Sequence, residues 1–291
     1  MTNTLAVFEF NGGKLITKGT TNISGRVFQV GNGMSTAAFQ LLSGTHRFAN
    51  ALVISSNAAL TGTGTIFGNV TNFGSIGAGN SAGSLRIDGS LSLQSSSMMS
   101  FEIGGLLATN EYDVLTVTNF VQFAGTLSLA LLNNFLPDDS DTFTLLKFGS
   151  SSGSFANITG GRVGLTNNLA SFAVTQTATN LVLGGVTYTD SDGDGQGDLQ
   201  EQAAGTDPLV SASAMHITSI TQNGSGHIVV QFQSVTNKTY RIEYSPNLAT
   251  WNTATTNVPS AGASTQWIDD GSLTGGLNFL ITNRFYRVGL Q

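Results

Sequence analysis

The chain is 291 residues long, 40% hydrophobic and only 10% charged, against ~25% charged residues in a typical soluble domain; this is enough apolar material for two real cores and excludes a disordered chain. With no cysteine it excludes disulfides, thiolate metal sites and cysteine nucleophiles. The net charge of −6 is local: residues 1–189 hold seven bases and eight acids, 190–210 six acids and no base, and 211–291 four bases and three acids, so no basic stripe exists to follow a nucleic-acid backbone.

Met1 to Phe10 lacks a basic start and a long apolar stretch, so no signal peptide is read there, and no run of about 18 apolar residues marks a membrane span. The chain is expected to be a mature or trimmed piece of a secreted protein. Leu5-Ala-Val7-Phe8-Glu-Phe10 reads as a strand and as a plausible docking edge. From about residue 5 to 186, short alternating apolar runs separated by Gly, Asn and Ser predict many short strands, among them those carrying Leu85, Ile87, Leu91 and Leu93, then Phe101 and Ile103, Leu115 and Val117, Val121 and Phe123, and Leu127, Leu129 and Leu131. Small residues recur at tight corners, as in Gly62-Thr-Gly64-Thr-Ile66 and Gly68-Asn69-Val70, which points to a coiled solenoid.

Leu60 through Gly89, including Gly77-Ala-Gly79-Asn80-Ser81-Ala-Gly83, resembles the autotransporter-associated β-strand repeats of bacterial passenger domains. Tyr112-Asp113-Val-Leu115, Phe135-Leu-Pro137, Asp141-Thr-Phe143 and Gly153-Ser-Phe155 resemble the segment that closes such passengers. The resemblance spans about residues 50 to 185 and implies a right-handed parallel β-helix on a secreted or surface protein.

Asp190-Ser-Asp192-Gly-Asp194-Gly195-Gln196-Gly-Asp198-Leu-Gln-Glu201 places oxygen ligands at loop positions 1, 3, 5, 9 and 12, the Gln196 carbonyl at 7 and glycine at 6, the spacing of a calcium loop. Five carboxylates within twelve residues repel one another without a cation. A merely acidic linker would explain the charge but not the spacing. The preceding Asn180 to Tyr188 reads as a strand, where an EF-hand needs a helix, and Gly197 replaces the apolar residue usual at position 8; these features exclude a paired sensor. Asp190 to Pro208 resembles thrombospondin type 3 and dockerin-like loops, with a short helix over 199–204 capped at Gly205. Such loops on extracellular modules hold calcium at roughly 10⁻⁴ to 10⁻³ M, which places the chain outside the cell.

Residues 211–291 carry strand runs at about 215–221, 227–235, 238–245, 264–269 and 284–290, the size of a small β-sandwich. Thr239 to Trp251, with Arg284-Phe285-Tyr286-Arg287-Val288, resembles fibronectin type III-like domains. The expected organisation is therefore all-β: a parallel β-helix over 1–188, a calcium-binding linker over 189–210 and a sandwich over 211–291.

No catalytic residue emerges. His46, His216 and His227 sit in no nucleophile or metal motif and read as surface or packing residues. Asp88, Glu102, Glu111, Asp113, Asp138, Asp139 and Asp141 are the carboxylates a glycan-cleaving β-helix would draw on. Trp251 and Trp267 are the freest candidates for a glycan-binding surface. The chain reads as a non-catalytic extracellular structural or adhesin-like module with Ca2+ as its cofactor. It is expected to self-associate end to end or to meet a cell-surface or polysaccharide partner; a carbohydrate-binding module or a β-helix polysaccharide-degrading enzyme is the alternative.

Overall fold

The alternating apolar residues of positions 13–153 turn inward on three parallel ladders, and the chain visits each ladder in turn. The computed structural model describes residues 9–276 and 283–291; of the proposed docking edge, residues 5–8 lie outside the described residues. The chain divides into two compact units, Met1–Thr187 and Tyr188–Gln291, with the 190–201 loop in the second. Both are built of strands, with one short α-helix and one 3-10 turn among the described residues.

In the first unit every strand ladder from Gly13 to Gly153 is parallel. The first ladder runs through 13–17, 37–41, Ala58–Gly62, Ser75–Gly77, Met98–Ile103 and Thr126–Leu131. The second takes 19–22, 45–48, Gly64–Phe67, Ser84–Asp88, 114–117 and 146–148. The third takes Phe28–Val30, Leu52–Ile54, Val70–Asn72, Leu91–Leu93, 121–123 and 151–153. This arrangement is consistent with the expected parallel β-helix.

Because side chains alternate across a strand, in-register pairing stacks like upon like along each ladder. Phe39, Leu60, Ile76, Met99 and Leu127 form one buried column. His46, Ile66, Ile87, Val117 and Phe148 form another. His46 is thus a packing residue: it is fully buried, its ring nitrogens lie 3.2 Å from Thr20 Oγ1 and 3.0 Å from the Ser43 carbonyl, and burial lowers its pKa. The corners admit little more than glycine. A Cβ on Gly62, which has φ 113°, would stand 1.9 Å from the Leu41 carbonyl oxygen.

The C-terminal end of each ladder is engaged. The strand Asn180–Tyr188 runs antiparallel to Phe143–Gly153, pairing Phe143 with Leu183. On the first ladder the Asn157 amide imitates a strand, donating to the Leu127 carbonyl at 2.7 Å while its oxygen accepts the Leu127 N–H at 2.9 Å. On the third, Gln176 donates to Ser151 Oγ and to the Gly153 carbonyl. These contacts cover part of the edge that an open solenoid would offer to another chain.

Asp113 locks a corner. It is 2% exposed; Oδ1 accepts the Gly83 N–H and Oδ2 the Glu102 N–H, both at 2.9 Å, fastening the 79–83 turn to the strand Met98–Ile103. Burial pushes its carboxyl up to about 7, against the pull of the two N–H bonds and with some help from the Glu102 charge. Between its ordinary value of 3.8 and about 7 the folded chain holds a proton that the unfolded chain has released. This contribution is therefore complete below the ordinary value and is lost as pH rises through about 7. Asp113→Asn keeps one acceptor and never ionises, so the melting-temperature gap between wild type and the variant should narrow from pH 4 to 8. Parallel pH curves for the two proteins would refute this assignment.

The second unit contains two three-stranded antiparallel sheets: Ile217–Gln222, Ile228–Gln233 and Ser264–Asp269 in one, and Asn252–Pro259, Thr239–Ser245 and Phe285–Leu290 in the other. They share a core of Phe232, Tyr240, Ile242 and Val258, against which Met215, Trp267 and Tyr286 pack. The Asn252–Pro259 strand is absent from the strand runs read in the sequence; only Val258 of its residues is buried, and threonines and asparagines hide its alternation.

Candidate metal centre

The 190–201 loop fixes each aspartate by hydrogen bonds from backbone N–H groups. Asp190 accepts the Gly193 N–H at 2.8 Å and the Gly195 N–H at 2.9 Å. Asp192 Oδ1 accepts the Asp194 N–H at 3.2 Å, and Asp194 Oδ1 accepts the Gln196 N–H at 2.7 Å. Gly195, at φ 94°, takes the left-handed turn that the loop needs at its sixth position. As a result one oxygen from each of Asp190, Asp192 and Asp194 lies within 4.8 Å of the others.

The twelfth position comes from helix α1, Asp198–Ala204. Gln200 Oε1 accepts the Gly197 N–H at 2.8 Å at its start, and Gly205, at φ 83°, closes its end by donating to the Glu201 carbonyl at 2.7 Å. This fixes Glu201 fully buried. Both of its carboxylate oxygens, with Asp192 Oδ2 and Asp194 Oδ2, are buried without a hydrogen-bond partner. Burial pushes the Glu201 carboxyl up against the pull of the Thr206 hydroxyl, with the charges of Asp194, Asp192 and Asp198 adding to the rise; burial and the neighbouring aspartates do the same to Asp192 against its bond from the Asp194 N–H. Buried oxygens of one sign, facing no donor, are the arrangement a hard cation satisfies. The donors are all oxygen, which fits calcium and does not fit a thiolate or imidazole-seeking metal.

Two positions behave differently from simple ligands. Asp198 is buried, and its oxygens accept the Ser191 N–H at 2.8 Å and the Ser191 hydroxyl at 2.6 Å, so it closes the loop upon itself. The Gln196 side chain is engaged with Met215, which leaves its main-chain carbonyl for an ion. Gly197, the departure at position 8, has a steric cause: a Cβ there would stand 2.3 Å from Tyr188 Cβ. Lys238, which the sequence reading passed over, donates from Nζ to the Ala203 carbonyl at 2.6 Å, a cation at the helix C-terminus.

The remaining candidates are dispersed. Asp88 forms a largely exposed ion pair with Arg86 at 3.6 Å, and Glu111 accepts the Leu107 N–H within its own loop. Asp141 accepts the Asp138 N–H, making the turn after Pro137. Trp267 packs on the Tyr286 ring at 6.2 Å, and the Arg287 guanidinium covers Trp251 at 4.5 Å. Asp269 binds Thr274, Arg284 and Tyr286, a satisfied structural hub. Among the described residues no helix is long and apolar enough to cross a membrane. Comparison with protein-family models, with curated proteins and with solved structures finds no match to this chain.

Proposed function

We propose that this chain is a non-catalytic extracellular structural or adhesin-like surface protein, built from a right-handed parallel β-helix, a calcium-holding loop and a fibronectin type III-like β-sandwich. The observation that carries the reading is Glu201, fully buried with both carboxylate oxygens unpartnered at the end of a correctly spaced aspartate loop. Calcium at the millimolar level of the cell exterior satisfies those oxygens and orders the loop at the start of the second unit. Stacked ladders supply length, and the second unit presents a surface. Self-assembly proceeds through the N-terminal docking edge read at Leu5 to Phe10, because the C-terminal ladder ends carry contacts of their own.

Limited proteolysis tests the calcium step. Cleavage within residues 186–210 is expected to be at least tenfold slower in millimolar calcium than in chelator, since ordering a loop lowers the population of its open form. Equal cleavage rates in the two buffers would sink the reading. Light scattering with and without residues 1–12 tests assembly; monomers in both would remove it.

A second reading, glycan binding, is favoured by a hollow of about 490 Å³ on the outer face of the first ladder. It opens where Gly77 interrupts the column of Thr61 and Ser100, and Gln40, Asn80, Ser128 and Glu102 line it. The size suits one or two sugar residues and the lining offers hydroxyls and amides. Binding on a glycan array that is lost in Gln40→Ala would establish this reading in place of Trp251 or Trp267. Release of reducing ends would extend it to an enzyme.

A further inference from the structure

The loop is fastened at two points to strands that build the core of the second unit. The Gln196 amide donates from Nε2 to the Met215 carbonyl at 2.7 Å, while its Oε1 accepts the Met215 N–H at 3.3 Å, a two-bond ring like that between neighbouring strands. Met215 stands just before the strand Ile217–Gln222, and its side chain packs on the core of Phe232, Tyr240, Ile242 and Val258. The second point is the exit of α1. Lys238 holds the Ala203 carbonyl and leads directly into Thr239–Ser245, which carries Tyr240 and Ile242. Gly205 lies against Val235, where a Cβ would come within 3.1 Å of Val235 Cγ1.

A cation loop of this spacing takes only the main-chain carbonyl of its seventh residue. The Gln196 side chain is therefore free of the ion and available to Met215. Without a cation, the carboxylates of Asp190, Asp192 and Asp194 repel, and the Glu201 oxygens remain buried with nothing to solvate them. Opening the loop relieves both, but only by releasing Gln196 from Met215 and Ala203 from Lys238.

We propose that filling of the cation site and folding of the 188–291 unit form one coupled equilibrium, with calcium as a folding cofactor of that unit and Gln196 as the positioning residue that transmits its effect. The proposal rests on the calcium reading of the loop. It makes external calcium a control on the β-sheets themselves, because a ligand that binds only the folded form stabilises whatever must fold with its site.

The test uses the full chain. Both tryptophans, Trp251 and Trp267, belong to the second unit, so tryptophan fluorescence follows the unfolding of that unit alone. Calcium affinity is measured by calorimetric titration, and fluorescence melts are recorded in chelator and in calcium at a hundredfold excess over Kd. The expected result is a rise of about 10–20 °C for wild type. Lys238→Met, which cuts the tether at the exit of α1 and removes no ligand, should bind calcium within about threefold of wild type yet show less than half the rise. Gln196→Ala cuts the other tether and, read at a hundredfold excess over its own Kd, should shrink the rise in the same way, which keeps the test available if Lys238→Met does not fold. Calcium binding with no movement of the wild-type fluorescence melt would overturn the coupling and leave the calcium reading standing. An equal rise in wild type and both variants would overturn it as well. Absence of binding at millimolar calcium would overturn both.

Discussion

Glu201→Gln is expected to weaken calcium binding at least tenfold and, in the same protein, to make the calcium-free form harder to unfold. The two effects have one cause. Glu201 is fully buried and its two carboxylate oxygens meet no donor, so with no cation it is a desolvated charge held near Asp192, Asp194 and Asp198. Glutamine fills the same volume without the charge, which relieves the empty site. It can offer an ion only one oxygen and no net attraction, which weakens the filled one. Thermal melts in chelator and in calcium, beside a calorimetric titration, separate the two arms. A variant that loses stability in chelator would show that Glu201 is a structural carboxylate with a partner of its own. The candidate for such a partner is the Thr206 hydroxyl, which donates to the Glu201 main-chain carbonyl at 3.3 Å and pulls against the rise of the carboxyl.

Phe143→Ala is expected to cost about 3–5 kcal/mol. Phe143 is fully buried where parallel pairing gives way to the antiparallel strand Asn180–Tyr188. Its ring meets Tyr112 at 5.3 Å, Phe172 at 6.1 Å and Phe135 at 6.3 Å, each close to edge-on. Truncation removes the transfer energy of the ring, leaves a cavity and breaks three aromatic contacts with rings from separate segments. Phe120, 39% exposed, is the control: Phe120→Ala should change stability by no more than about 1 kcal/mol. Calorimetric melts of the two variants decide the matter, and similar losses in both would remove Phe143 as the keystone of the closing segment.

The interior stripe was legible because a strand writes its buried face locally, at every second residue. Leu85, Ile87, Leu91, Leu93, Phe101 and Ile103 all point inward. The ladders themselves were hidden. Their partners are separated by uneven stretches, as from Phe28 to Leu52, Val70, Leu91 and Val121, so no fixed period announces the register. The metal loop divides in the same way. Its aspartate spacing and Gly195 turn are local and readable, and so are the strand before it and the helix after it. The clamps of Gln196 on Met215 and Lys238 on Ala203 join residues far apart in sequence, and no local pattern marks them. Asp198 carries both lessons: its position suggests a ligand, while its contacts with Ser191 make it a brace.

The uneven rungs also set where this chain can change length. A residue added inside a ladder would turn every side chain beyond it to the opposite face of the sheet, carrying the apolar set into water. A residue added at 104–111 or 133–141, where the chain leaves the coil between paired strands, shifts no register. Whole coils can therefore be gained or lost between unaltered ends, so the height of the stack is free to vary while the closing segment that finishes it stays the same.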